Sequence, residues 1–249
     1  QDIKISALIG IKVTSVKDDC GQEAIYKATT IFQQQLYLAM NFAYPGACQL
    51  LGSRFIGDSS YLYEAQSYES KVFYDARISA RESNWPKLHN LELSKVWQWL
   101  NSMALSHSDI AISDINKVLI NMLKLGQQRH RYGSRSILIA SQQIELLLGI
   151  KHDDGNRLRN RTRLILGNVP EAADCFIDLY RLRADLFHGE QPVRRPALIC
   201  NGQQEERREQ IAIHNTNVEL AASIIVALIQ TLISNNKNKF LFKEVLVEG

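Results

Sequence analysis

The run 220–233, LAASIIVALIQTLI, is apolar on every side of a helix, so other elements must surround it. It falls short of the roughly 20 residues that cross a bilayer. Ser223, Gln230 and Thr231 also interrupt it. The expected structure is a helical bundle with this segment in its core, and no membrane partner is expected. The 249 residues are 45% hydrophobic and 22% charged, enough to bury such a core without disulfide or metal staples. That balance excludes disordered and low-complexity classes.

Helical periodicity dominates after the sequence Asn84-Trp85-Pro86. Segments 91–105, 113–125, 134–148, 157–166, 170–187 and 205–234 are expected as helices. Ser113-Asp114 supplies an N-terminal cap signal, and Gly126, Gly149, Gly167 and Gly189 mark the ends. The first part of the chain is more mixed. Residues Ile3, Ile5, Ala7, Ile9, Ile11 and Val13 alternate like a strand, and 28–43 reads as a helix stopped by Pro45-Gly46. Segments 55–56, 60–63 and 71–78 are rich in aromatic and β-branched residues and are expected as short strands. The fold class expected is mainly α: a bundle over 87–249 preceded by a small α+β region over 1–86.

Loud catalytic signatures are missing. The chain has no Gly-rich phosphate loop, no Gly-x-Ser-x-Gly and no His-Glu-x-x-His. Its four cysteines form no Cys-x-x-Cys pair and, with the histidines, no zinc spacing, so neither metal nor other cofactor is expected. Scattered thiols suit a reducing compartment, and the cytoplasm is the expected location. A chain that starts at Gln1 is expected to have its native start upstream, or processed. The net charge of +3 is too small to name a nucleic acid as partner by itself.

The candidate chemistry lies in 179–190, LYRLRADLFHGE. Arg183 is a permanent cation with a fork of donors suited to phosphate. His188 is a proton donor or acceptor near neutral pH. Together they suffice to cleave RNA: the imidazole takes the proton of a ribose 2′-OH, and the guanidinium stabilises charge on the attacked phosphate. The spacing is a weak signal, because Arg207 and Arg208 precede His214 at a similar distance. Five positions also turn a helix by about 140°, so Arg183 and His188 meet only if the helix ends near Phe187 and Gly189 turns left-handed.

Context separates the two arginine–histidine pairs. The segments SQQIELLL (141–148), 157–166 and YRLRADLFHG (180–189) resemble the Apea-like branch of the HEPN superfamily. There a helix bearing a glutamate precedes a basic helix and an aromatic-x-x-Arg-Ser-x-x-x-His-Gly ending. The likeness covers about 90–235. Ala184 stands where the family usually has serine, which removes one phosphate donor. The resemblance implies an α-helical homodimer in which Arg183 and His188 of two protomers line a shared cleft. It also implies metal-independent cleavage of RNA in a toxin or antiphage system, with a regulatory protein or antitoxin as a further partner. Other members of the family serve as binding modules.

Around this dyad, Glu145 is expected to orient the Arg183 guanidinium if its helix packs there, with a helix-surface residue or a structural ion pair as the competing reading. Asp185 is expected as a supporting, solvated or capping carboxylate. Arg157, Arg159, Arg161 and Arg163 are the candidate RNA contacts, with a solvated, ion-paired helix as the competing reading. Tyr180 is either a base-stacking platform or core. The alternatives to a nuclease are an inactive module that binds RNA, nucleotide or a partner protein, and a dimeric scaffold whose seam is 220–233.

Overall fold

A computed structural model describes residues 22–50, 67–104, 110–127, 132–150, 155–190 and 205–243. The described residues form a mainly α fold: α1 (Gln22–Ala43), α2 (Lys71–Glu82), α3 (Leu93–Ser102), α4 (Asp114–Gly126), α5 (Ser134–Leu148), α6 (Gly155–Leu166), α7 (Phe176–His188) and α8 (Glu205–Ser234). A 3-10 turn, Glu171–Ala173, precedes α7. The expected strand at 3–13 and those at 55–56 and 60–63 lie outside the described residues.

α8 forms the centre. Every residue from Leu220 to Gln230 is buried, and α2 and α5 cover most of this helix, with α1, α3, α6 and α7 completing the contacts. The helix is long and apolar enough to span a membrane over Ile211–Ser234, but it is packed inside the fold. Its burial within one chain also removes 220–233 as the seam of a scaffold dimer, since the apolar surface is already covered.

The three polar interruptions are satisfied inside the bundle, as buried polar groups must be. Ser223 Oγ donates to the Leu220 carbonyl at 2.7 Å, and Thr231 Oγ1 to that of Ala227 at 2.9 Å. Gln230 does more. Its amide nitrogen donates to the carbonyls of Phe42 (2.9 Å) and His89 (2.7 Å), while its oxygen accepts from His89 N–H at 3.0 Å. One side chain thus pins α8 to the end of α1 and to the segment entering α3.

Segment 71–78 is a helix, not the expected strand. Val72, Phe73, Ala76, Ser79 and Ala80 are its buried residues, at helical spacing against α8. Its aromatic and β-branched content suits a strand, but burial along one helical stripe overrides that preference. The described residues before and after position 86 contribute to one hydrophobic core, in which Tyr37, Phe42 and Phe73 join Leu119, Ile144 and Ile225.

The helix expected over 170–187 is broken. Asp174 leaves the helical region (φ −83°, ψ 83°) between the 3-10 turn and α7. Its carboxylate is held there by Arg159 at 2.9 Å. Segment 91–105 is also shorter than expected: α3 stops at Ser102, and Ala104 has a positive φ of 53°.

A second polar junction joins α2, the entry to α5 and α8. Asp75 pairs with Lys71 and accepts the Tyr132 hydroxyl at 2.8 Å, and the Lys71 ammonium lies 4.7 Å from the Tyr132 ring centre. Glu219 of α8 faces this group. Burial, and then the negative charge of Asp75, raise its carboxyl above the ordinary glutamate range, with Lys71 opposing. A carboxyl with a raised folded value costs stability when ionised, and that cost vanishes as falling pH protonates it. Glu219→Gln is therefore expected to raise the melting temperature at pH 7–8. The gain should shrink towards zero as pH falls through the acidic range. A gain that persists unchanged at acid pH would contradict this assignment.

Candidate functional site

α5, α6 and α7 pack against one another in a three-helix corner. α5 and α7 end in the same way. Gly149 (φ 63°) and Gly189 (φ 74°) adopt the left-handed conformation that terminates each helix. Ile150 N–H bonds the Glu145 carbonyl at 3.0 Å, and Glu190 N–H bonds that of Asp185 at 2.8 Å. These paired turns place Glu145 and Asp185 at equivalent positions, three residues from each helix end.

Between the three helices lies a small cleft. Ile144, Leu158, Phe176 and Leu179 line it together with Ser141, Glu145, Tyr180 and Arg183, and the surface it exposes is apolar. The free space holds about one water molecule. The Arg183 guanidinium forms an ion pair with the Glu145 carboxylate through Nη1. The two side chains are 29% and 15% exposed, so the pair is only partly screened by solvent. Ser141 is buried, and its Oγ donates to the Leu138 carbonyl at 3.1 Å. Tyr180 and Asp185 are half-buried.

His188 occupies the last position of α7 and is exposed. Helix geometry carries it about 140° around and about 7.5 Å along the axis from Arg183. The helix continues through His188 rather than ending at Phe187, so within one chain the imidazole faces away from the cleft. Phe187, 84% exposed, meets the His188 ring edge-on with centroids 6.0 Å apart. The end of α7 therefore presents an aromatic and an imidazole outward.

The four arginines of α6 divide. Arg159 is held by Asp174. Arg161 Nη1 donates to the carbonyls of Leu148 (2.6 Å) and Gly149 (3.1 Å), and its guanidinium lies 4.4 Å from the Phe242 ring centre. It therefore caps the C-terminus of α5 and ties the 235–243 segment to it. Arg157 and Arg163 are exposed. The expected arginine patch is split between structural ties and outward-facing cations.

Sequence reasoning assigned no role to Ser141 or Phe187, and it took Arg161 as an RNA contact rather than as the cap of α5. A cation following the glycine that ends α5 is the one signal that bears on Arg161. Beneath the cleft, Cys175 is buried at the start of α7, and its thiol is pushed up to about 12 by burial and by the nearby Asp174 charge. It is a packing residue rather than a nucleophile. No family model, curated protein or solved structure matches the chain.

Proposed function

We propose that the chain is a metal-independent endoribonuclease of the HEPN type, a toxin or antiphage effector acting as a homodimer. The observation that carries this reading is the division of labour along the last two turns of α7. Arg183 is a half-buried guanidinium in a cleft, already engaged with an oxyanion, and His188 is an exposed imidazole at the helix end. A phosphate at the first and a ribose 2′-OH at the second fit the two residue types. His188 accepts the 2′-OH proton as the oxygen attacks phosphorus, Arg183 stabilises the charge on the non-bridging oxygens, and the P–O5′ bond breaks as the leaving 5′-oxygen takes a proton from water. The products are a 2′,3′-cyclic phosphate and a 5′-hydroxyl. Because the two groups face apart on one helix, the reading needs a second protomer to bring an imidazole opposite the guanidinium. Arg157 and Arg163, both exposed, are then the cations proposed to follow the RNA backbone, and the half-buried Tyr180 the ring proposed to stack on a base.

The second reading is an inactive HEPN module that binds RNA, nucleotide or a partner protein. The Glu145–Arg183 pair favours it, since the cation is neutralised within the chain. Incubation with total RNA in chelator, followed by mapping of the new ends, separates the two. Cyclic-phosphate ends with the wild type and none with His188→Ala support the nuclease. Binding of RNA without any new ends supports the module.

A further inference from the structure

The Arg183 cation is not waiting empty. Its Nη1 edge is engaged by a carboxylate, and a carboxylate offers a guanidinium the same pair of charged acceptors that a phosphodiester offers. The cleft beside the pair has room for about one water, so it does not hold a phosphate while the ion pair is intact, and the Nη1 edge is open to one only when the carboxylate leaves. Glu145 itself is anchored at the backbone, where its carbonyl accepts Ile150 N–H at 3.0 Å, while its side chain ends at the partly exposed rim. We propose that Glu145 is an internal occupant of an anion seat on Arg183, and that a phosphodiester binds by displacing its carboxylate.

This rests on reading Arg183 as the phosphate-binding cation, but it assigns Glu145 the opposite role to a supporting residue. A carboxylate that only orients the guanidinium improves phosphate binding, and its removal weakens it. A carboxylate that occupies the seat competes, and its removal strengthens binding. Two effects act in the same direction here. The displaced anion stays close to the incoming phosphate and repels it, and a half-buried guanidinium that loses this carboxylate gains more from an external anion.

The test is binding of a fluorescent, 2′-O-methylated oligoribonucleotide, which cannot be cleaved, at one fixed ionic strength. Arg183→Ala is expected to weaken binding about tenfold, the scale of one charge-assisted hydrogen bond. Glu145→Gln, nearly the same shape without the charge, is expected to tighten it about tenfold. The double variant should bind like Arg183→Ala, because without the cation there is no seat to compete for. If Arg183→Ala weakens binding and Glu145→Gln leaves it unchanged or weaker, the internal occupant is refuted while the cation's role stands. If Arg183→Ala binds like the wild type, the reading of Arg183 itself fails. Circular dichroism and thermal melting establish that each variant folds. Should Glu145→Gln not fold, Glu145→Asp, whose carboxylate is drawn back by one methylene, is expected to tighten binding by a smaller factor. Unchanged or weaker binding by that variant would equally refute the proposal.

Discussion

His188→Ala is expected to lower cleavage of RNA by at least about 10²-fold, the lower end of what a positioned acid or base contributes. Arg183→Ala is expected to cost about 10²- to 10³-fold, as the loss of a donor aimed at developing charge does. The two variants should differ in stability. His188 is exposed at the helix end, so its removal leaves the fold nearly unchanged. Removing Arg183 takes the guanidinium away from Glu145, whose side chain is only 15% exposed, and should lower the melting temperature. Arg183→Lys keeps the charge but loses the fork of donors, and should recover stability better than activity. The 140° between the two residues adds a sharper expectation. If guanidinium and imidazole come from different protomers, mixing inactive Arg183→Ala with inactive His188→Ala restores cleavage. Mixed dimers then contain one cleft with both groups intact. Full activity in both single variants, on several RNAs without added metal, removes the nuclease reading. Inactive mixtures remove the shared cleft.

The parts of the fold that were legible in the sequence are those where local chemistry and tertiary packing agree. α8 was readable because a run that is apolar all round has one destination, and its polar interruptions bond within the bundle. α4 and α5 were readable at their ends: Ser113 accepts Asn116 N–H at 3.3 Å, and Gly149 takes the left-handed turn. Reading failed where a tertiary contact overrode a local preference. Segment 71–78 carries strand-like residues, yet it lies as a helix on α8. The expected helix 170–187 breaks at Asp174, whose ion pair with Arg159 no periodicity reveals. The candidate site shows the same division. The glycine ending of α7 is local and was readable. The Glu145–Arg183 pair joins positions 38 apart and was expected only on the condition that α5 packs against α7, which periodicity alone does not decide and the structure shows. The diversion of Arg161 to the end of α5 depends on where α6 lands, so alternate arginines that look equivalent in sequence serve different ends.

Gly126→Ala is expected to be among the most destabilising single changes in the chain, although a helix ordinarily prefers alanine to glycine. The cause is the surroundings of this last residue of α4. A Cβ there would overlap the Tyr37 hydroxyl and lie 2.8 Å from its Cζ. Tyr37 is fully buried and has little room to retreat. Its ring stands 5.2 Å from that of Tyr68 and 5.7 Å from that of Phe73. Its hydroxyl donates to the Glu69 carbonyl at 2.6 Å, and Glu69 N–H in turn donates to the Gly126 carbonyl at 2.7 Å. One junction thus links α1, the entry to α2 and the end of α4, and a methyl group presses on all three. Overpacking of this kind costs about 1–3 kcal/mol, and a displaced buried hydroxyl adds about 1–3 kcal/mol. Chemical denaturation measures the sum. Tyr37→Phe alone should also destabilise, since it leaves the Glu69 carbonyl without this donor. In the Gly126→Ala background, however, the same change removes the closest clashing atom, so the two losses should be less than additive. The rescue should be partial, because the ring carbons at 2.8 and 3.0 Å remain. Strict additivity would show that the ring moves aside freely and that the junction is looser than these distances imply. A neutral or stabilising Gly126→Ala would show that α4 ends differently, and that glycine is present there for a reason other than its missing side chain.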